Sequence, residues 1–298
     1  MVEGRTCEPR VRFPQYARPV ELARASLSAL AALLLAGCAL LPSDGASPSD
    51  AGASPAPPAA ADATGTPGPT DASSAPSVDV PTRIIDRGEH GSYGVVTLDL
   101  ADWDVRVDWP RRADGTDMAS YIAHHPGIAV LTNAGIFSDD LTPGGLLVAD
   151  GTELRALNLA DGYGNFHLKP NAVFEIRDDG TAAVVDSTRY DPAGVAQATQ
   201  SGPALLLDGQ IHPQFNEHST NTALRSGVGV SPDGRTVYLV ITRTYVTLWD
   251  FATMFRDELG VHDALYLDGQ ISQLWVAGEP DPTPYLGPYA GVIAAYPR

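Results

Sequence analysis

Residues 264–272 read Ala-Leu-Tyr-Leu-Asp-Gly-Gln-Ile-Ser and form the most informative stretch of the sequence. The first four residues are apolar or aromatic and predict a buried strand, which Asp268 and Gly269 follow directly. An acidic residue at the carboxyl end of a central strand is often part of a functional site, because the loops there open onto a crevice. Taken alone, however, the segment is also compatible with a simple turn aspartate.

Short apolar runs of the same kind recur along the chain, most of them bounded by Gly, Pro, Asp or Asn. They predict ten strands: Val95–Leu98, Val105–Trp109, Ile128–Leu131, Leu146–Val148, Val173–Ile176, Ala183–Val185, Ala204–Leu207, Val237–Ile241, Ala264–Leu267 and Val292–Ala295. Two helices are predicted, one over Asp117–His125 and one over Thr247–Leu259, where Thr247 is the N-cap and Gly260 ends the helix. The expected fold is a single α+β domain with mixed, mostly antiparallel β-sheets flanked by a few helices.

The N-terminal region has the pattern of a bacterial export signal. An apolar run of 12 residues, Ala25–Ala36, follows several arginines and is too short to span a membrane. The run leads into Leu35-Ala36-Gly37-Cys38, which resembles the lipobox of bacterial lipoproteins. We therefore expect residues 1–37 to be a lipoprotein signal peptide and Cys38 to carry the lipid. Residues 38–81, rich in Ala, Ser and Pro, predict a disordered tether, and residues 82–298 the folded domain. The predicted location is extracytoplasmic, anchored to the cell membrane.

The composition limits the classes of molecule that this protein is expected to bind. The chain has 19 basic and 36 acidic residues, a formal net charge of −17. Such an acidic chain has no general attraction to phosphate backbones, which argues against nucleic-acid binding. Lys169 is the only lysine, and its flexible ammonium suits contact with a phosphate or hydroxyl group.

Four further polar clusters interrupt the predicted strands. The first follows Leu131 and contains Asn133, which both donates and accepts hydrogen bonds, and Gly135, which permits close backbone approach. The others are the segments 164–171 (Gly-Asn-Phe-His-Leu-Lys-Pro-Asn), 200–203 (Gln-Ser-Gly-Pro) and 225–229 (Arg-Ser-Gly-Val-Gly).

Taken together, the order and spacing of these clusters resemble the phosphodiester glycosidase domain family. The matching segments are 133–137, 143–148, 200–203, 225–229, the helix at 247–259 and 267–272, so the resemblance covers most of residues 90–298. It is closest to a bacterial subgroup that carries the segment 164–171. The resemblance implies an envelope-anchored hydrolase that cleaves a glycosidic bond, such as that of a sugar-1-phosphodiester in a cell-envelope glycan.

The resemblance also implies a set of site residues. Asp268, Arg225 and Asn133 are the expected catalytic residues, with Asp268 as nucleophile, base or charge stabiliser and Arg225 holding a phosphate or carboxylate. The expected substrate-binding residues are Gly135, Asn165, Lys169, Asn171, Ser201, Gly202, Gly269 and Ser272. A second carboxylate is usual in glycoside hydrolysis, and Glu175, Glu217, Asp208 and Asp263 are open candidates.

One alternative from another functional class remains at this stage. Gln270 and Ile271 stand where the family pattern has glycines, which favours a non-catalytic lipoprotein that binds glycan or peptidoglycan. Retention of Asp268 and Arg225 together favours catalysis, because binding alone does not require a buried acid. No cofactor is evident from the sequence. A divalent cation near Asp139 and Asp140 is left open, although no His-x-His or His-Glu-x-x-His pattern supports it.

Overall fold

The computed structural model describes residues 79–110, 117–269, 271–279 and 288–298. The expected signal peptide, the expected lipidation site Cys38 and nearly all of the expected tether lie outside these residues. Within the described part of the chain, no helix is long and apolar enough to cross a membrane.

The described residues form sixteen strands and two α-helices. In chain order these are β1 (Thr82–Asp86), β2 (Ser92–Asp99), β3 (Trp103–Asp108), α1 (Met118–His124), β4 (Val130–Asn133), β5 (Leu147–Ala149), β6 (Thr152–Arg155), β7 (Ala172–Arg177), β8 (Ala182–Asp186), β9 (Val195–Ser201), β10 (Ala204–Leu207), β11 (Gln210–Ile211), β12 (Ser226–Val230), β13 (Thr236–Thr242), α2 (Leu248–Glu258), β14 (Asp263–Asp268), β15 (Leu274–Val276) and β16 (Val292–Pro297). Short 3-10 helices lie at Gly88–His90, Asn165–His167 and Ser187–Arg189.

The strands form three sheets. The first has seven strands in the order β1-β2-β13-β12-β14-β10-β11, the second has the order β15-β4-β16-β3, and the third has the order β6-β5-β9-β7-β8. Every ladder among the described strands is antiparallel. The expectation of mostly antiparallel sheets is therefore confirmed. The expectation of mixed sheets in an α+β fold needs correction, because the described domain is predominantly β.

The main hydrophobic core draws side chains from all three sheets, among them Leu98 of β2, Val107 of β3, Phe174 of β7 and Leu265 of β14. These residues alternate with side chains that face away from this core, as period-2 strands require. Burial of this shared core couples the three sheets, so the strand ends that carry the polar clusters are fixed relative to one another.

Helix α2 covers the opposite face of the first sheet. Its aromatic residues Phe251 and Phe255 are fully buried against Tyr93, Val240 and Tyr266. The close approach depends on the glycines of β12: a Cβ atom at Gly229 would lie 2.8 Å from the Phe255 ring, and one at Gly227 would lie 3.1 Å from the Phe251 ring. Thr247 caps the helix by accepting a hydrogen bond from the backbone N–H of Asp250 at 3.0 Å.

Candidate active site

Asp268 ends β14 beside a β-bulge. Strands β12 and β14 pair with Gly227 opposite Tyr266, and the register then shifts so that Ser226 stands opposite Asp268. Leu267 is the extra residue, and its carbonyl accepts a hydrogen bond from the Ser201 hydroxyl at 3.0 Å. A bulge bends its strand and changes the direction of the neighbouring side chains, and bulges are common next to active sites.

The surroundings of Asp268 bring the pKa of its carboxyl group closer to neutral pH. Burial raises its pKa to about 6, and a hydrogen bond from the Gly269 backbone N–H acts in the opposite direction. That N–H lies 2.6 Å from Oδ1 of Asp268. A carboxyl group with a pKa in this range can act as a general acid, base or nucleophile.

Tyr266, two residues before Asp268, belongs to the same cluster. Its hydroxyl lies 3.5 Å from Nδ2 of Asn165, at the long end of hydrogen-bonding distance. A Cβ atom at Gly269 would lie 2.7 Å from the same hydroxyl, so the glycine leaves space for the phenol. Burial and the charge of Asp268 raise the pKa of Tyr266 to about 12. The phenol therefore stays protonated and available as a donor.

Arg225 is a buried cation that lies over the Tyr266 ring. Its guanidinium carbon lies 5.7 Å from the ring centre, and only 3% of the residue is exposed. Its Nε donates to the Val246 carbonyl at 2.9 Å and its Nη2 to the Asn221 carbonyl at 3.2 Å. Burial lowers the pKa of Arg225, but an arginine remains charged in proteins.

No salt bridge between described residues includes Arg225. A buried charge without an ionic partner is costly, because carbonyl dipoles replace only part of its hydration. The guanidinium is thus suited to hold an anionic ligand.

Asn133, the last residue of β4, connects the second sheet to the Asp268 loop. Its Nδ2 donates to the Ser226 hydroxyl at 2.9 Å, and its Oδ1 accepts from the Gln273 backbone N–H at 3.2 Å. The Ser272 hydroxyl continues this network, 3.0 Å from Oγ of Ser226 and 2.9 Å from the Asp268 carbonyl. The side chain of Asn133 is only 1% exposed, so its position in the structure is that of an anchor for the loop.

Ser201 and Gly202, which were predicted as substrate-binding residues, lie at the corner between β9 and β10, where backbone segments pack closely together. The Ser201 hydroxyl accepts from the Ile136 backbone N–H at 3.2 Å. A Cβ atom at Gly135 would overlap the Gln200 carbonyl, and one at Gly202 would lie 2.6 Å from the Phe166 carbonyl. These two glycines allow three segments of the site region to pack tightly together.

Within the segment 165–171, Asn165 is the residue whose side chain contacts Tyr266. Nδ2 of Asn171 donates to the Phe166 carbonyl at 2.8 Å, and its buried Oδ1 has no hydrogen-bond partner among the described residues. The Lys169 ammonium donates to the Leu159 carbonyl at 3.3 Å. Neither residue bonds to Asp268, Tyr266 or Arg225.

None of the four candidate second carboxylates contributes to the pKa shift of Asp268. Asp263 lies at the opposite end of β14, about 17 Å away at the rise of a strand. Glu175 is fully buried and pairs with Arg177 at 2.6 Å. Asp208 and Glu217 are exposed. In the described ranges, no group of three His, Cys, Asp or Glu residues is arranged to hold a metal ion, and Asp139 and Asp140 lie in an exposed loop.

Two residues of the cluster were not predicted as site residues. Tyr266 stands inside an apolar strand pattern, and only its position two residues before Asp268 hinted at a shared location. Ser226 follows Arg225 in the sequence, but its bridging role between Asn133 and Ser272 depends on two strands that are far apart in the chain.

Comparison with known proteins assigns the family. The sequence profile of the phosphodiester glycosidase family matches residues 126–289, which includes β4 to β15 and all of the residues described above. The chain therefore belongs to the phosphodiester glycosidase family.

Two relatives illustrate the range of similarity. The Escherichia coli (strain K12) protein YigE, itself uncharacterized, is 33% identical over 151 residues, which cover 51% of this chain and 59% of YigE. The catalytic domain of zebrafish N-acetylglucosamine-1-phosphodiester α-N-acetylglucosaminidase, auto-inhibited by its pro-peptide, aligns with a TM-score of 0.53 at 19% identity, covering 74% of this chain and 83% of that domain. At that identity the structural match establishes a shared fold.

Proposed function

We propose that this protein hydrolyses a glycosidic bond, and that the bond is that of a sugar-1-phosphodiester in a cell-envelope glycan. The observation that carries the proposal is the grouping of two opposite charges around Tyr266, those of half-buried Asp268 and buried Arg225. Asp268 supplies a carboxylate whose pKa is raised to about 6, and Arg225 supplies a cation with no acidic partner in the described structure. Membership of the phosphodiester glycosidase family supports the same reaction type.

The proposed reaction breaks the bond between the anomeric carbon and a phosphate oxygen. Positive charge develops on the sugar ring, and ionised Asp268 stabilises it or bonds to the anomeric carbon. The bonding electrons leave with the phosphate, whose negative charge is held by Arg225 and by a hydrogen bond from the Tyr266 phenol. Water supplies a hydroxyl group to the sugar and releases a proton. A phosphate leaves as a stable anion, so the reaction does not require a second carboxylic acid as proton donor.

The proposed location is the outer side of the cell membrane. The support is the sequence around Cys38, with its apolar run and preceding arginines. The charge of the chain agrees with a role away from nucleic acid. Lipidation at Cys38 would be tested by metabolic labelling with a fatty-acid analogue, with Cys38→Ser as the control; absence of label on the unchanged chain would contradict the anchor.

Hydrolysis would be tested with the purified protein on α- and β-linked sugar-1-phosphodiesters and on p-nitrophenyl glycosides. We expect turnover of at least one phosphodiester, lost in Asp268→Asn, and unaffected by EDTA. The second candidate is a glycan-binding protein without turnover, which the replacement of family glycines by Gln270 and Ile271 favours. Binding of a glycan with no turnover of any substrate by the folded protein would establish that candidate instead.

A further inference from the structure

The loop of residues 213–222, between β11 and β12, is anchored to the domain at one end by His212. Nearly all residues of this loop are exposed, and only Phe215 and Ser219 are half-buried. His212 itself is only 3% exposed, and its ring stacks on Phe215 with ring centres 4.7 Å apart. The position of the loop therefore depends strongly on the contacts of one buried side chain.

The hydrogen bonds around His212 determine which ring nitrogen carries the proton. The backbone N–H of Gln214 donates to Nδ1 of His212 at 3.2 Å. Nδ1 is therefore an acceptor, and the neutral ring carries its proton on Nε2. Nε2 is buried and has no hydrogen-bond partner among the described residues. The His212 carbonyl also accepts from the Phe215 backbone N–H at 3.0 Å, which makes a tight turn at the start of the loop.

A second proton can be added to this ring only at Nδ1. The protonated Nδ1 is a donor, and it would face the N–H of Gln214, which is also a donor. The hydrogen bond would be lost and a positive charge would be buried. Burial accordingly lowers the pKa of His212, while the backbone carbonyls of Lys169 and Leu168 act in the opposite direction. Protonation therefore favours a conformation in which the ring is exposed to water.

The charged and titratable groups of the neighbouring elements are exposed or have other partners. Lys169 donates to the Leu159 carbonyl at 3.3 Å, and within the loop Glu217 pairs with His218 at 3.5 Å. The remaining groups, on the β10–β11 turn, before β12 and on α2, are Asp208, Arg225, Asp250, Glu258 and the Arg256–Asp257 pair. In the described structure, none of these side chains contributes to the pKa of His212. A proton bound at His212 thus has no acidic partner to stabilise it.

We propose that His212 is a pH-sensitive switch for the 213–222 loop. Uptake of a solvent proton at Nδ1 breaks the bond to Gln214, separates the ring from Phe215 and opens the loop. The Asn221 carbonyl, which accepts from Nη2 of Arg225 at 3.2 Å, belongs to this loop. Opening therefore removes one of the two carbonyl contacts that hold the Arg225 side chain. The inference goes beyond the proposed hydrolysis, because it concerns the conformation of the loop and does not require turnover.

Loop opening should increase as the pH falls. In the open loop His212 titrates near its ordinary pKa of 6.5, and in the closed loop its pKa is lower. The closed conformation is therefore fully favoured above the ordinary pKa and loses stability as the pH falls below it. Opening should become about five- to tenfold more frequent between pH 7.5 and pH 5.5.

Hydrogen–deuterium exchange measures this opening directly. Protection factors of residues 212–224 would be compared at pH 7.5 and pH 5.5 in the Asp268→Asn protein, so that titration of Asp268 does not contribute. We expect the protection of the loop to fall about five- to tenfold and that of α2 to stay constant. In the same background, His212→Asn should abolish the change, because asparagine keeps an acceptor for the Gln214 N–H but does not titrate. His218→Gln, at an exposed histidine of the same loop, is the matched control and should retain the change.

Two results would overturn the inference. One is loop protection that stays constant over this pH range in the folded protein, a result that requires no substitution at His212. The other is an equal fall of protection in His212→Asn and His218→Gln. Neither result depends on hydrolysis, so failure of the switch and failure of the proposed function are separate outcomes.

Discussion

The guanidinium carbon of Arg225 lies 5.7 Å from the centre of the Tyr266 ring, beside a pair of strands whose register shifts just before Asp268. Arg225 precedes β12, and Tyr266 and Asp268 lie on β14. The bulge places a permanent cation, a protonated phenol and a titrating carboxylate within one short region.

Tyr266→Phe should keep the packing against α2 and remove the only donor of the ring. The kcat for phosphodiester hydrolysis should fall about 10- to 100-fold, since a hydrogen bond to a charged group contributes roughly 1.5–3 kcal/mol. Steady-state kinetics would measure this, with Tyr238→Phe on strand β13 of the same sheet as the matched control. Equal activity of the two variants would show that the Tyr266 hydroxyl has no role in turnover.

Arg225→Gln should reduce activity selectively on substrates that carry a phosphate. We expect kcat/KM for a sugar-1-phosphodiester to fall about 100-fold or more, as for the loss of a charged stabilising group. The decrease for an uncharged p-nitrophenyl glycoside should be clearly smaller. Thermal unfolding would be recorded in parallel, because removal of a buried cation also alters stability. An equal decrease for both substrates in a folded variant would contradict phosphate binding by Arg225.

The activity should depend on the ionisation of Asp268. Burial raises the pKa of this carboxyl group to about 6, and its ionised form is the one that stabilises positive charge or attacks the anomeric carbon. In the free enzyme, kcat/KM should therefore rise with pH up to about 6 and then level off. A profile that falls as pH increases through this value would instead assign Asp268 the role of general acid.

Gly229→Ala tests the packing of α2 on the first sheet. The added Cβ would lie 2.8 Å from the Phe255 ring, so the helix has to shift, at a cost of about 1–3 kcal/mol of unfolding free energy. Gly94→Ala in β2 is a milder comparison, because its Cβ would meet the flexible Ile241 side chain at 3.3 Å. Chemical denaturation would give both values. Equal stability of Gly229→Ala and the unsubstituted protein would contradict the close contact.

Much of the fold was predictable from local patterns. Each of the ten predicted strands overlaps an observed strand, and both predicted helices are present with Asp117 and Thr247 as N-caps. Strand β12 was not among the ten strands predicted from apolar runs, because glycines interrupt its sequence, and only the family resemblance implied a strand after Arg225. Its glycines are explained by the aromatic side chains of α2, a contact between distant segments that local propensity does not contain.

Strand β9 illustrates a second reason for missed elements. Its sequence is polar, but Gln197 and Gln200 are buried, and their side-chain amides both accept and donate hydrogen bonds with neighbouring segments. Buried polar residues of this kind have no periodic hydrophobic signal. The balance between helix and strand was therefore misjudged, and the α+β expectation underestimated the β content.

The sequence predicted several residues of the site but not the hydrogen bonds and strand pairing that connect them. The strand end at Asp268 and the neighbouring Arg225 were identified from sequence. The register shift that sets Ser226 opposite Asp268, and the hydroxyl bridge from Asn133 to Ser272, arise from pairing across three segments. Such connections depend on tertiary structure and have no local signature.

Asp268→Asn provides the most direct test of the central claim, because it preserves side-chain size and removes the charge. Hydrolysis of a panel of sugar-1-phosphodiesters would be measured for the purified protein and for this variant. We predict turnover by the unsubstituted protein and a decrease of about 100- to 10,000-fold in Asp268→Asn, with substrate affinity retained. Undiminished turnover in the folded variant would contradict the assignment of Asp268 as the catalytic carboxylate.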